Sequence, residues 1–187
     1  MDKLLEFFEE IGRLKRTPRS GWSYYGITTP ESVAEHTFMV AILTLIFGRL
    51  LEKEGQKLDL DKAIRMALIH ELGETKIGDL HLKAREYLKE CVADAEWKAV
   101  LDTAALLPSS LSSEITELYK EFEAGTTPEA KLVRALDKVE LLIQAYTYTK
   151  SGYKNLDKIW KGSANRKFFN YFELINKFIE LLDKKGG

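Results

Sequence analysis

Residues 29–53, TPESVAEHTFMVAILTLIFGRLLEK, are the stretch whose reading decides the fold. They open on Thr29-Pro30-Glu31: a hydroxyl able to cap, a proline suited to the first helical position, and an early acid that complements the helix dipole. Gly55 stands just beyond Lys53 as a stop signal. Between these marks runs an apolar segment, Phe38 to Phe47, broken only by Thr44. Its ten residues are far short of the ~20 that span a bilayer. The run therefore predicts a fully buried central helix of a soluble protein.

Helical punctuation continues on both sides. Leu4, Leu5, Phe7, Phe8, Ile11 and Leu14 fall at helical spacing over residues 2–15, and a polar, Gly-containing stretch from Thr17 to Thr28 follows. Asp59 or Asp61 caps a third helix carrying Ile64, Ala67, Leu68 and Leu72, interrupted near Gly73. An irregular stretch from Thr75 to about Leu82 precedes a fourth helix, about Lys83 to Leu106, and Pro108 restarts the chain for a helix reaching roughly Ala124. Thr127-Pro128-Glu129 repeats the earlier start signal and opens a long helix to about Lys150, punctuated by Gly152. A short piece near Leu156–Trp160 and an amphipathic helix from about Asn165 to Lys184 close the sequence. With no alternating strand pattern and no internal repeat, the expectation is an all-α fold in a single domain, residues 1–187. Its motif-bearing core covers about 14–150, with C-terminal helices at 153–184 packing on it.

Composition narrows the function. The chain has 187 residues, 45% hydrophobic and 30% charged, with 28 Lys+Arg against 29 Asp+Glu. A formal net charge of −1 argues against a general nucleic-acid or anionic-membrane binder. Met1-Asp2-Lys3 does not begin like a signal peptide. The single cysteine, Cys91, allows neither an intrachain disulfide nor a Cys-based zinc site, and fits a reducing, cytoplasmic setting. Metal chemistry must be built from His36, His70 and His81 together with carboxylates.

Several polar residues stand where periodicity asks for apolar ones. His36 shares a face with Val33 and Val40, His70 with Ala63, Met66 and Ala67, Glu71 with Ile64 and Ala67, and Asp137 with Val133 and Leu141. A buried carboxylate without a partner is costly, so it pairs, hydrogen-bonds or binds a metal. Taken singly, each has an ordinary reading: a hydrogen-bonded core histidine, or an aspartate paired with Lys138 or Arg134. Together, two imidazoles and two carboxylates on three core helices suit a divalent ion. Two other metal patterns fail. His70-Glu71-Leu72-Gly73-Glu74 lacks the second histidine of the zinc-protease helix. A di-iron bundle needs Glu three residues before each histidine, where Val33 and Ala67 stand here.

The segments Pro30-Glu31-Ser32-Val33-Ala34-Glu35-His36, His70-Glu71-Leu72-Gly73-Glu74 with Gly78-Asp79, and Ala135-Leu136-Asp137-Lys138 closely resemble the HD-domain phosphohydrolases. Within that superfamily they look most like the 5′-deoxynucleotidase or oxetanocin-like branch. Pro18-Arg19-Ser20-Gly21-Trp22 and Gln144-Ala145-Tyr146 look similar too, so the resemblance spans about residues 14–150. It implies a helical bundle holding one divalent ion, cobalt, manganese, magnesium or zinc, through His36, His70, the acid at 71 and Asp137. The sequence departs from the family at one ligand: the name-giving His-Asp pair is here His70-Glu71, whose carboxylate lies one methylene, roughly 1.5 Å, further out. The resemblance makes Glu74 the proton-handling catalytic group and gives Asp79 to the deoxyribose 3′-hydroxyl. It also places Arg19, last of four cations among Arg13, Lys15, Arg16 and Arg19, and Trp22 at the substrate. His81 matches no ligand position and reads as a surface or second-layer residue.

The expectation is a phosphomonoesterase that converts a deoxyribonucleoside 5′-monophosphate to deoxynucleoside and phosphate, with a homodimer implied by the resemblance. The apolar residues of the final helix, Phe168 to Leu182, suit either an interface or the core. Two other readings remain open. One is another HD-type enzyme, a phosphodiesterase or guanosine-polyphosphate hydrolase. The other is a non-catalytic nucleotide-binding helical protein whose metal site has decayed at position 71.

Overall fold

A computed structural model describes residues 1–160 and 168–186, and among them the chain is all helix, turn and loop. Helix α1 (Asp2–Gly12) runs on into a 3-10 turn, Arg13–Lys15, and is followed by α2 (Ser20–Tyr24), α3 (Val33–Lys53) and α4 (Leu60–Ile69). Next come α5 (Glu74–Ile77), α6 (Leu82–Leu88), α7 (Glu90–Ala104), α8 (Ser109–Ala124) and α9 (Pro128–Lys150). Short α10 (Asp157–Trp160), a 3-10 turn at Phe169–Tyr171 and α11 (Glu173–Gly186) complete the described chain.

The start of α3 differs from the sequence expectation. Thr29-Pro30 stays outside the helix, and the cap is Ser32: its Oγ accepts from Glu35 N at 3.2 Å while Glu35 Oε2 accepts from Ser32 N at 2.6 Å. This reciprocal pair is a capping box, which a proline placed two residues earlier cannot form. The Ser32 backbone N–H also holds the Glu35 carboxyl below its ordinary value. An isolated antiparallel bridge, Pro18 to Ser32, pins this entry, with Arg19 N donating to Glu31 O and Val33 N to Thr17 O, both at 2.9 Å. By contrast, Thr127 caps α9 through Ala130 N with Pro128 just inside, as the sequence predicts, and Asp59 Oδ1 caps α4 through Lys62 N.

Three further expectations are corrected. The helix predicted over 83–106 is two helices, because Lys89 takes φ +46° between α6 and α7. No Gly or Pro marks that break. The final helix begins at Glu173 instead of Asn165: Phe169–Tyr171 forms a 3-10 turn, and Asn165 lies outside the described residues. Most importantly, the Phe38–Phe47 run is not fully buried. Phe38 is 62% exposed and Ile46 52%, while Val40 and Thr44 are at 0%. The apolar run covers both faces of α3, and only one of them meets the core.

The described residues group into two compact units. The first comprises Met1–Phe38 and Leu68–Lys120, and the second comprises Met39–Ala67 with the described residues from Glu121 onward. In the first, Leu72, Val100 and Tyr119 form a buried cluster against Ile11, Ile69, Trp97 and Ile115, and α1 and α5 pack on α7. In the second, α9 is the central element, burying Leu132, Val133, Leu136, Val139 and Leu142; α11 packs on it and buries Ile175, Ile179 and Leu182, with Phe172 buried just ahead of it. Phe169, Phe172, Ile175 and Leu182 thus serve as core, while Tyr171 and Leu181 stay exposed.

Gly73 sets the approach of α5 and its preceding turn to α7. Its backbone is helical, φ −58°, so conformational freedom is not the reason for glycine. A Cβ placed there would lie 2.9 Å from Glu96 Cβ and 3.1 Å from Glu96 Cα. Neither atom can swing aside, since both are fixed by α7. We predict that Gly73→Ala lowers unfolding free energy by about 1–3 kcal/mol, the usual cost of overpacking. Urea denaturation checks this; an unchanged midpoint would show that α7 yields freely.

Candidate metal centre

Helix α4 ends at Ile69, and the turn His70–Gly73 carries two of the residues that the sequence singles out. Ending α4 at Ile69 frees His70 and Glu71 from a helical face, so both side chains can turn toward His36 on the first turns of α3. His36 is 0% exposed and His70 4%. Their rings lie 5.5 Å apart at 57°. Glu71 Oε1 sits 3.5 Å from His36 Nε2 and 3.7 Å from His70 Nε2. These separations are long for hydrogen bonds. They lie at or just beyond the spacing of neighbouring ligands: two donors bonded at 2.0–2.2 Å to one ion at the tetrahedral angle are about 3.3–3.6 Å apart. One donor atom from each residue lies within 4.8 Å of the others. Two buried imidazole nitrogens and a carboxylate oxygen form a donor set that fits zinc, manganese or cobalt, and the fit holds with glutamate at 71.

Arg19 meets the same oxygen. Its Nη1 donates to Glu71 Oε1 at 2.8 Å and reaches Asp79 Oδ1 at 3.4 Å. Of the four N-terminal cations only Arg19 turns inward; Arg13 pairs with Glu10, and Lys15 and Arg16 are exposed. Asp79 Oδ2 accepts from the backbone N–H of Ser20, at the start of α2. Gly78, at φ +74° and ψ 168°, makes the bend that delivers Asp79, a conformation costly for any residue with a Cβ.

Glu74 opens α5 and is 2% exposed. Burial pushes its carboxyl up to about 11, with the charges of Glu71 and Asp79 adding to the effect and Arg19 opposing it. A carboxyl so placed holds its proton at neutral pH until positive charge arrives nearby. Arg85 lies 3.7 Å from Glu74 Oε1, pairs with Glu96 of α7, and donates from Nε to Leu80 O at 2.9 Å. It therefore ties the Asp79 loop to α7.

Trp22, which the resemblance places at the substrate, is a buried residue of α2. It is 2% exposed, and its Nε1 donates to Glu31 Oε1 at 2.8 Å. His81 caps α6, accepting at Nδ1 from Ala84 N, and its ring stacks on Tyr24 at 4.9 Å. Asp137 belongs to the second unit: it lies on α9, 8% exposed, with Lys138 Nζ 2.8 Å from Oδ2. Arg134, the other cation named for it, caps the end of α8 through Phe122 O and Glu123 O. Sequence reasoning missed Glu31, Arg85 and the Ser20 amide. The Ser20 contact uses backbone, which carries no residue-type signal, and nothing in spacing separates Arg85 from a solvated cation.

Comparison with known proteins agrees with this geometry. A family model for the HD domain matches residues 11–173. The 5′-deoxynucleotidase HDDC2 of Dictyostelium discoideum is 35% identical over 161 residues, 85% of this chain and 84% of its own length. Its human namesake is 33% identical over 180 residues, 95% of this chain and 84% of its own. A conserved hypothetical protein of Pyrococcus furiosus superposes with a TM-score of 0.80 at 38% identity, covering 96% of this chain and 97% of that one.

We predict that the purified protein takes up one divalent ion per chain, and that His70→Ala weakens that affinity by at least ~100-fold, more than the 10–100-fold typical of outer-layer partners. Equilibrium dialysis with manganese or cobalt checks this. Equal uptake by wild type and His70→Ala would place the ion elsewhere.

Proposed function

The chain belongs to the HD-domain family, and from that membership we propose that it is a metal-dependent phosphomonoesterase acting on deoxyribonucleoside 5′-monophosphates. The observation that carries this reading is the convergence of His36 Nε2, His70 Nε2 and Glu71 Oε1, in a chain whose relatives are 5′-deoxynucleotidases over most of both lengths. In this reading His36, His70 and Glu71 hold the ion. Asp137 joins them on the resemblance of Ala135-Leu136-Asp137-Lys138 to the family pattern. Bound there, a divalent ion supplies positive charge that offsets the phosphomonoester's own and lowers the pKa of water.

The remaining parts follow from the side chains. Arg19 has a planar fork of donors suited to phosphate oxygens. It is held between Glu71 and Asp79 until a substrate competes for it. Asp79, fixed by the Ser20 amide, presents a carboxylate acceptor for the sugar 3′-hydroxyl. Trp22 serves from behind, its buried indole holding Glu31 in place. Glu74 moves the proton. In the reaction, an O–P bond forms from water as the P–O5′ bond breaks, and the water proton ends on the leaving oxygen. With a divalent ion's charge beside it Glu74 would stand as the carboxylate, which can take that proton and return it to the leaving oxygen. The products are a deoxynucleoside and inorganic phosphate.

Phosphate release from paired deoxy- and ribonucleoside 5′-monophosphates, with manganese, cobalt, magnesium or zinc supplied, tests the reading. Wild type is expected to prefer the deoxy series. Glu74→Gln, which keeps the shape but cannot carry the proton, is expected to lower kcat by 100- to 10,000-fold, the range of general acid–base catalysis. Release that survives Glu74→Gln, or is confined to cyclic diesters or polyphosphates, would refute the assignment.

A further inference from the structure

Arg85 joins three parts of the candidate site at one guanidinium. Its Nε donates to Leu80 O at 2.9 Å, directly after Asp79 in the chain. Its Nη2 donates to Glu96 Oε1 of α7 at 2.5 Å and lies 3.7 Å from Glu74 Oε1. That last distance is an ion pair, too long for a hydrogen bond. Glu74 Oε2, by contrast, is buried and accepts no hydrogen bond among the described residues. The two oxygens of the carboxyl therefore differ: Oε1 faces a fixed cation, and Oε2 is left without a donor. Glu96 comes close because Gly73, the residue before Glu74, has no Cβ to keep it away. Both acids are nearly out of water, Glu74 at 2% and Glu96 at 8% exposed, so each needs matching charge nearby. Helix α6 packs on α7 yet buries no side chain of its own. Its place is set by polar links, chiefly those of Arg85, and by the stack of His81 on Tyr24.

We propose that Arg85 is a positioning residue for the phosphomonoesterase reaction: clamped by Glu96 and Leu80 O, its guanidinium fixes the Glu74 carboxylate so that Oε2 takes and returns the proton, and it holds Asp79 in place for the sugar 3′-hydroxyl. The inference rests on the reaction assigned above. Arg85 acts through Glu74 and Asp79 and does not itself meet the phosphate, which falls to Arg19. Removing the guanidinium leaves Glu74 and Glu96 as like charges with no cation between them, so the Glu74 carboxylate turns away from the water it serves. The same removal frees Leu80 O and loosens the carboxylate one residue before it. Lysine at this position would keep the charge but not the planar fork that meets Leu80 O and Glu96 at once.

The test measures kcat and KM for a deoxyribonucleoside 5′-monophosphate and for its 2′,3′-dideoxy counterpart, which lacks the hydroxyl assigned to Asp79. Arg85→Met keeps the apolar stem and removes every donor. It should lower kcat on both substrates by about 10- to 100-fold, the scale of a misplaced catalytic group. It should raise KM for the deoxy substrate alone, because only that one uses Asp79. Arg85→Lys should recover part of kcat, through its charge at Glu74, and leave KM raised. Uptake of one divalent ion per chain, followed by equilibrium dialysis, should survive each change. Should Arg85→Met not fold, Glu96→Gln, which keeps the hydrogen bond but not the charge, carries the test with a smaller loss of kcat. Unchanged kinetics, a KM that rises equally for the dideoxy substrate, or lost ion uptake overturns the proposal. A wild type that releases no phosphate from either substrate refutes the reaction instead. The clamp is then judged on crystal structures of wild type and Arg85→Met: a Glu74 carboxyl that turns away in the variant upholds it, and one that stays in place overturns it.

Discussion

One carboxylate oxygen organises the candidate site. Glu71 Oε1 is shared by His36 Nε2, His70 Nε2 and Arg19 Nη1. A charge with little access to water must be matched locally, and here the match comes from three separate segments: the entry to α3, the turn after α4, and the loop before α2. Much of the surrounding structure serves that convergence. Ser32 and Glu35 fix where α3 starts, and with it the position of His36. Gly73 lets the His70–Glu71 turn lie close to α7. Gly78 and the Ser20 amide bring Asp79 to the far side of Arg19.

The methylene that separates Glu71 from the family's aspartate is less disruptive than the sequence alone suggests. Because α4 ends one residue before His70, the two side chains are set by a turn, whose backbone can adjust to the longer reach. The charge balance matters as much as the distance. Glu71, Glu74 and Asp79 put three carboxyls around one guanidinium, and Glu74 answers by retaining its proton. A cation entering such a site is favoured by the same imbalance that raises Glu74.

The helices were legible in the sequence because their signals are local. Thr127-Pro128 at the start of α9 and Asp59 before α4 needed only hydroxyl, carboxylate and proline chemistry within a few residues. The metal candidates were legible because polar residues interrupted an apolar period. What stayed hidden depended on partners distant in the chain. Pro30 looked like a helix start until the Pro18–Ser32 bridge drew Ser32 into the capping role. Gly73 looked like a breaker, yet its reason is the nearness of Glu96. Nothing in the sequence near Trp22 says that its N–H goes to Glu31, nine residues on. The Phe38–Phe47 run looked buried all round because hydrophobicity does not say which apolar face meets the chain's own core. That surplus belongs to the outside of the helix that carries His36 on its inside.

Anomalous diffraction from crystals soaked in manganese or cobalt tests the central claim most directly. The account predicts a peak about 2.0–2.3 Å from His36 Nε2, His70 Nε2 and a Glu71 oxygen, with the Arg19 guanidinium displaced from Oε1. A peak remote from these three residues, or a fully ordered protein that shows no peak while Arg19 keeps its hold on Glu71, would contradict it.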